Sequence, residues 1–275
     1  MKNLLVKQLV IAFQFLTVIP VRVRGDISER ELSQSVVFFP AVGAFQGLLA
    51  GLAAYVFAHF FTADMAAAFV MTVLVMSNGG FHLDGVADTF DAIAVKSSGD
   101  ADFDRGRRLS VMKDGTTGPI GVTAVVFAVL LKYLLLKDLL SYSSTITIYS
   151  LLFLMPVLSK WVMVAAMYYG TSARNAGLGR IFADAVALKD AVIASLVTLL
   201  FCLAVAELMQ HTLYAGAAAA LFFFVIASLY IFTISAVKFC GRHFGGLTGD
   251  TFGAIGDLSE IVFLMVTSLW LRHSI

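Results

Sequence analysis

The sequence predicts an all-α membrane protein, a bundle of about seven transmembrane helices preceded by an N-terminal helix that is interfacial or re-entrant. Hydrophobic residues make up 60% of the 275 positions and charged residues only 13%, whereas soluble domains are about half apolar and a quarter charged. Apolar runs that approach or exceed the roughly 20 residues needed to cross a bilayer recur along the chain. The segments between them are too short to form a core of their own, so residues 1–275 are predicted to be a single integral-membrane domain.

The first apolar segment, residues 4–20, is short for a membrane span. It is interrupted by two glutamines and ends at Pro20, so it predicts the interfacial or re-entrant helix. The first complete span is predicted at 33–61, where Pro40 and Gly43 are placed to kink the helix or to end a half-helix.

Six further spans are predicted. They cover residues 65–77, 119–136, 145–169, 191–209, 213–237 and 255–271. Between the second and third of these seven spans, residues 96–117 are predicted to form a polar loop that carries the densest charge in the protein.

The basic residues are distributed unevenly between the two sides of this predicted bundle. If the segment 77–92 is cytoplasmic, 15 of the 19 Lys and Arg residues lie on its side, as the positive-inside rule expects. The four exceptions are Lys132, Lys137, Lys160 and Arg272. The net charge of +1 gives no general attraction to nucleic acid. We therefore expect contact with membrane lipid, no nucleic-acid partner, and motif-bearing loops on the cytoplasmic face of a bacterial inner membrane.

The most informative segment is 77–92, which reads SNGGFHLDGVADTFDA and contains Asp84, Asp88 and Asp91. On a helix the spacing i, i+4, i+7 confines the three carboxylates to an arc of roughly 60°. Like charges at this spacing repel one another, and a hard cation such as Mg²⁺ or Mn²⁺ relieves the repulsion. The segment therefore predicts a metal–diphosphate site at the membrane surface, with all three aspartates as ligands. The alternative is a solvated acidic helix start that binds no metal.

A second motif, VMKDGTTGPIGV, occupies residues 111–122 just before a span. Backbone N–H groups at a helix start bind anions, and Lys113 with the upstream Arg107 and Arg108 would neutralise phosphate. Asp114 would join the metal shell. The alternative is a basic loop that only sets topology or meets anionic lipid.

The third motif is GGLTGDTFGAIGDLSE at residues 245–260. Asp250 and Asp257 repeat the i, i+7 spacing, and Glu260 follows three residues later. Acids on two facing helices would hold a second metal or grip a diphosphate from its other side. The alternative is a small-residue surface for helix packing.

Two weaker signals concern substrate contacts. Arg174 and Arg180 lie in the loop 171–188, where guanidinium groups would suit phosphate, although positive-inside placement explains them equally well. His82 would lie on the opposite side of the helix from Asp84, either as a substrate contact or as a hydrogen-bonded structural histidine.

Together with FLTVIP at 15–20 and FPAVGAFQG at 39–47, these motifs resemble the cobalamin synthase family, the adenosylcobinamide-GDP ribazoletransferases. The resembling strings are GGFHLDGVADTFD at 79–91, MKDGTTGPIGV at 112–122 and GGLTGDTFGA at 245–254. The resemblance implies a multi-pass membrane enzyme that joins adenosylcobinamide-GDP to α-ribazole, or to α-ribazole 5′-phosphate. GMP is released and Mg²⁺ is the implied cofactor.

Roles for the candidate residues follow from this resemblance and from their chemistry. Asp84, Asp88, Asp91, Asp250 and Asp257 are predicted to bind metal. Asp91, Lys113 and Asp114 are predicted to be catalytic, with Asp91 acting as a ligand or as the base for the attacking hydroxyl. His82, Arg107, Arg108, Arg174 and Arg180 are predicted to contact substrate. Three rival functions use similar acids: a CDP-alcohol phosphotransferase, an intramembrane prenyl-diphosphate transferase, and a transporter with acids at mid-membrane. The sequence leaves the oligomeric state open.

Overall fold

The computed structural model describes residues 2–23, 25–142, 144–209 and 216–273, and within them the protein is all-α. The described residues form twelve α-helices and one 3₁₀ turn, Ser35–Phe38. The helices are α1 (Lys2–Leu16), α2 (Glu29–Gln34), α3 (Phe39–Phe60), α4 (Ala63–Ser77), α5 (Phe81–Ile93), α6 (Ala101–Val111), α7 (Pro119–Leu140), α8 (Thr145–Tyr169), α9 (Leu178–Ala185), α10 (Leu188–Met209), α11 (Ala217–Phe244) and α12 (Gly249–His273).

The predicted multi-pass bundle is confirmed. Six segments are long and apolar enough to cross a membrane: Glu29–Phe60, which combines α2, the 3₁₀ turn and α3, and the helices α7, α8, α10, α11 and α12. A seventh crossing is counted if α4 and α5, which meet at a bend of 86°, together form one broken span. The short apolar α1 precedes them, as predicted. Residues 213–215 of the predicted span 213–237, and Arg24 among the basic residues counted above, lie outside the described residues.

Helix α8 is the centre of the bundle, and α3 packs against it through glycines. A Cβ atom on Gly43 would lie 2.5 Å from the carbonyl oxygen of Pro156 in α8, so only glycine allows this backbone approach. Pro40 occupies the first turn of α3, where its missing N–H costs no helical hydrogen bond. Pro40 therefore begins a helix here, and Gly43 serves packing.

The sharp bend between α4 and α5 occurs at Gly79 and Gly80. Both have positive φ, 67° and 77°, which side-chain-bearing residues rarely adopt. The Gly80 N–H donates to the side-chain oxygen of Asn78 at 2.9 Å, which fixes the turn. After the bend, α5 packs on α7 and α12. The first acidic motif is thus helical, as its spacing predicts.

The polar segments contain more helix than the sequence suggests. The predicted loop 96–117 includes α6, whose start is capped by Asp100 accepting from the N–H groups of Asp102 and Phe103. The last span begins at Gly249, six residues before its predicted start. Polar or glycine-rich helices of this kind lack the apolar run by which spans are recognised, and their stability comes from capping and packing.

Candidate active site

The two acidic motifs meet where α5 crosses α12. A Cβ on Gly85 would collide with the carbonyl oxygen of Asp250 and would lie 3.2 Å from the backbone nitrogen of Ala254. On the same contact, a Cβ on Gly253 would lie 3.3 Å from the Cα of His82. The glycines therefore allow two backbones to touch, and this contact brings the first and third motifs into one site.

Three carboxylates gather at this crossing. Asp84 is exposed, and Asp88 and Asp250 are half-buried. Partial burial, and then the negative charges of Asp84, Asp250 and Asp91, raise the pKa of Asp88 to about 6. The repulsion predicted along one helix face is therefore present, and α12 adds a further negative charge to it.

These three carboxylates are of the chemical type that Mg²⁺ prefers. Among the described residues, however, no group of three or more His, Cys, Asp or Glu side chains is arranged so that it could hold a metal ion. Mg²⁺ in phosphoryl-transfer sites is commonly held by one or two carboxylates plus phosphate oxygens and water. An ion here would therefore need donors from the substrate or from water, and Asp84, Asp88 and Asp250 remain its predicted protein ligands.

Replacing Asp88 by Asn should stabilise the metal-free protein at pH 7.5. The wild-type carboxyl must ionise above pH 6 in a place that disfavours its charge, and Asn removes that penalty. Because Asp88 is half-exposed and screened by solvent, we expect a gain of about 1 kcal/mol, a rise of roughly 2–4 °C in the unfolding midpoint. The gain should shrink as the pH falls from 6 toward 4, because the wild-type carboxyl then becomes protonated.

Thermal unfolding in detergent with EDTA, at several pH values, measures this effect. Asp102→Asn is the matched control, since the Asp102 side chain is 91% exposed on α6. An Asp88→Asn midpoint equal to that of the wild type at pH 7.5 would contradict the electrostatic picture of the site.

Asp91, the third acid of the first motif, is engaged by the start of α7. Its two oxygens accept the backbone N–H groups of Gly118 at 2.6 Å and Gly121 at 2.7 Å. These N–H groups have no partner within α7, so the carboxylate caps the helix and meets its positive end. Asp91 thereby ties the second motif to α5. Its assignment as a metal ligand or base stays a prediction, and two of the N–H groups predicted to bind phosphate are occupied by it.

The charged residues of the second motif lie at the surface of the protein. Lys113 and Asp114 are exposed, and the Asp114 carboxylate accepts a hydrogen bond from the Thr116 hydroxyl at 3.1 Å. On α6, the exposed Arg107 lies over the ring of Phe103. Arg108 donates to the His243 carbonyl at 3.2 Å and so holds α6 against the end of α11.

The two arginines of the loop 171–188 separate in space. Arg174 reaches the site, where its guanidinium lies 3.5 Å from the Asp250 carboxylate. Arg180 instead pairs with Glu29 of α2 at 2.5 Å. The loop is held to the third motif by two backbone hydrogen bonds, between Leu247 and Thr171 and between Ala173 and Leu247. This short bridge, which no sequence pattern predicts, places Arg174 beside Asp250.

Asp257 lies two helical turns further along α12, inside the bundle. Lys132 of α7 donates to Asp257 at 2.6 Å and to Glu260 at 3.0 Å, and all three side chains are buried. Lys160 of α8 is buried beside them and acts electrostatically on both acids. We call these four residues the buried charge cluster. One oxygen of Asp257 is thus occupied by Lys132, and its predicted role as a metal ligand stays a prediction.

Sequence reasoning missed the role of Lys132 and Lys160, which entered only as exceptions to the charge bias. The signal was available, because ionisable residues inside membrane spans are rare and nearly always have partners.

A cavity of about 350 Å³ lies against the crossing of α5 and α12. Asp84 and Asp250 line it, together with the aromatic rings of Phe15, Phe81 and Phe252. Its polar wall residues are Gln14, Asn78 and His82. The carboxylates therefore adjoin a space that is mostly apolar and large enough for a small aromatic molecule.

A family model and several relatives of known name match this chain. The family model described as CobS, cobalamin-5-phosphate synthase, matches residues 8–268. The chain belongs to this family. A relative from Thermodesulfovibrio yellowstonii is 31% identical over 98% of this chain and 100% of its own. One from Thermoanaerobacter pseudethanolicus is 30% identical over 94% and 96%, and one from Geotalea daltonii is 31% identical over 93% and 94%. All three carry the name adenosylcobinamide-GDP ribazoletransferase.

The resemblance of the motifs to the cobalamin synthase family is thereby confirmed, and so is the expectation of an enzyme. The match extends over all three motifs and over every helix that contributes to the site. No solved structure matches the chain.

Proposed function

We propose that this cobalamin synthase family member completes the nucleotide loop of cobalamin by transferring a phosphate-linked cobinamide from adenosylcobinamide-GDP to α-ribazole or α-ribazole 5′-phosphate. GMP is the second product. One observation carries the proposal: the Gly85–Asp250 contact brings Asp84 and Asp88 together with Asp250 from the other end of the chain. Family membership and the names of the relatives support the choice of substrates.

The reaction exchanges one phosphorus–oxygen bond for another. A ribose hydroxyl of the acceptor attacks the phosphorus next to the cobinamide, and the bond from that phosphorus to the bridging oxygen breaks. The bridging oxygen leaves as part of GMP, and the hydroxyl proton passes to a base. Such transfers depend chiefly on positioning and on neutralising phosphate charge.

The residues at the crossing suit these tasks. A Mg²⁺ ion bound by Asp84, Asp88 and Asp250 would neutralise the diphosphate. Arg174 lies against Asp250 and is placed to contact the same phosphates. Lys113, Arg107 and Arg108 carry the positive charge near the start of α7 and would stabilise the leaving GMP. Asp91 or a neighbouring carboxylate would take the proton, and Asp114 would complete the polar rim.

We place the site on the cytoplasmic face of a bacterial inner membrane. Fifteen of the 19 basic residues lie on the side of the first motif, which supports this orientation. Apolar side chains such as Phe223, Leu200 and Ile231 are each about two-thirds exposed on the outside of the bundle, where membrane lipid would cover them.

The direct test is GMP release by the purified protein supplied with adenosylcobinamide-GDP and α-ribazole. We expect release that depends on the acceptor, stops with EDTA and returns with excess Mg²⁺. GMP formation without an acceptor would indicate hydrolysis instead. Release of CMP from a CDP-alcohol substrate in place of GMP would favour the CDP-alcohol phosphotransferase and overturn the proposal.

A further inference from the structure

One polar side chain in the wall of the cavity beside Asp84 and Asp250 has a ring nitrogen without a hydrogen-bond partner. His82 lines the cavity and is only 5% exposed. Its Nδ1 atom is buried and has no hydrogen-bond partner. Among the described residues, the buried side-chain atoms without a partner include Nδ1 of this ring and not Nε2, so we take Nε2 as the nitrogen that faces the cavity.

Lys160 and Lys132 of the buried charge cluster, both cations, act on the His82 ring. A neutral imidazole has one donor and one acceptor nitrogen, and we assign the proton to Nε2 and the lone pair to the buried Nδ1. His82 thus presents an N–H donor to a mostly apolar cavity, and the matching ligand is an aromatic group with a single acceptor atom.

We propose that this cavity binds the base of the acceptor nucleoside, and that His82 Nε2–H donates a hydrogen bond to the unsubstituted ring nitrogen of that base. The inference rests on the proposed function and specifies which part of which substrate occupies the cavity. The base of ribazole is a dimethylated benzimidazole, an apolar bicycle whose second ring nitrogen is free to accept. The rings of Phe15, Phe81 and Phe252 provide the apolar walls that such a bicycle needs.

Size and polarity exclude the other substrate from the cavity. A volume of about 350 Å³ is at the small end for ligand pockets, and a corrinoid carrying a guanosine diphosphate is several times larger. The guanine base alone presents two donor groups and three acceptors on its edges. Besides the two carboxylates, the wall offers the polar side chains Gln14, Asn78 and His82, too few to pair all of these.

The placement also orients the acceptor for reaction. Asp84 and Asp250 line the same cavity as His82. A nucleoside with its base among the aromatic rings therefore extends its ribose toward the carboxylates, where the diphosphate is to be bound. On this arrangement His82 is a specificity residue for the acceptor and does not contact the diphosphate.

The first test needs no variant and no turnover. Calorimetric titration of the wild-type protein, with EDTA present, compares α-ribazole with an indole riboside that has carbon in place of the free ring nitrogen. We expect the indole riboside to bind about tenfold more weakly, the usual effect of losing a buried hydrogen bond. Equal binding of the two ribosides would overturn the proposal, whether or not GMP is ever released.

The second test uses His82→Phe, with His59→Phe as its control because His59 is exposed at the far end of α3. The His82 variant should bind both ribosides equally and raise the KM for α-ribazole about tenfold. Its KM for adenosylcobinamide-GDP should stay unchanged, and His59→Phe should behave as wild type. A raised KM for adenosylcobinamide-GDP with an unchanged KM for α-ribazole would assign the cavity to the guanosine side and overturn the inference.

Discussion

Asp84→Ala and Asp250→Ala should each lower the rate of GMP release by about 10³-fold, and the double variant should be little worse than either single variant. The two side chains are 166 positions apart in the sequence but line one cavity and act on the same charge, that of Asp88. Groups that act as one unit show strongly non-additive losses when removed together. A loss of this size is typical of removing one preorganised charge-stabilising group from an active site.

Single-turnover GMP release at saturating Mg²⁺ measures the four proteins directly. Asp102→Ala is the matched control. It also removes an acidic side chain, and the Asp102 side chain is exposed on α6. If the two losses multiply in the double variant, the acids act independently. The third motif would then serve only to pack α12 against α5.

The largest effect on stability should come from Lys132→Met. This substitution leaves Asp257 and Glu260 buried in a membrane-spanning helix without the ammonium group that both now contact. Removing one partner of a buried ion pair typically costs about 3–5 kcal/mol. Neutralising the rest of the buried charge cluster as well, in the variant Lys132→Met, Lys160→Met, Asp257→Asn, Glu260→Gln, should recover most of that loss.

Unfolding of the purified variants in detergent tests this ordering. Lys137→Met, one turn and a half along the same helix, is the control. Lys137 pairs with Asp64 near the surface and is 44% exposed, so its loss should cost no more than about 1 kcal/mol. A Lys132→Met protein as stable as the wild type would show that the two carboxyls are protonated and need no cation.

The elements that the sequence predicts well are those governed by local rules. Apolar runs predict the crossings because a lipid environment requires long helices with apolar surfaces. The first acidic motif is predicted as one helix face because its spacing matches the helical period. The convergence of Asp84, Asp88 and Asp250 also follows from matching patterns at the ends of two spans.

Pairings between helices could not be predicted from the sequence, because they depend on the rotation of each helix about its axis and on its depth in the bundle. Asp257 shares its spacing with the site acids, yet Lys132 from α7 engages it inside the bundle. Asp91 belongs to the same helix face as Asp84, yet the free N–H groups of α7 occupy it. Arg174 and Arg180 lie in the same loop of the sequence. In the fold, Arg174 contacts Asp250 and Arg180 contacts Glu29.

The pairing of Lys132 with Asp257 also dictates an order of assembly. The two residues are 125 positions apart, so a ribosome adding about 5–20 residues per second makes α7 roughly 6–25 seconds before the partner exists. During that interval α7 carries an unpaired lysine that the bilayer interior disfavours. Insertion of α12 supplies the partner of this lysine, and the same step brings Asp250 into contact with Gly85. Helix α12 therefore completes both the charge balance of the buried charge cluster and the crossing with α5, and a chain interrupted before α12 has neither.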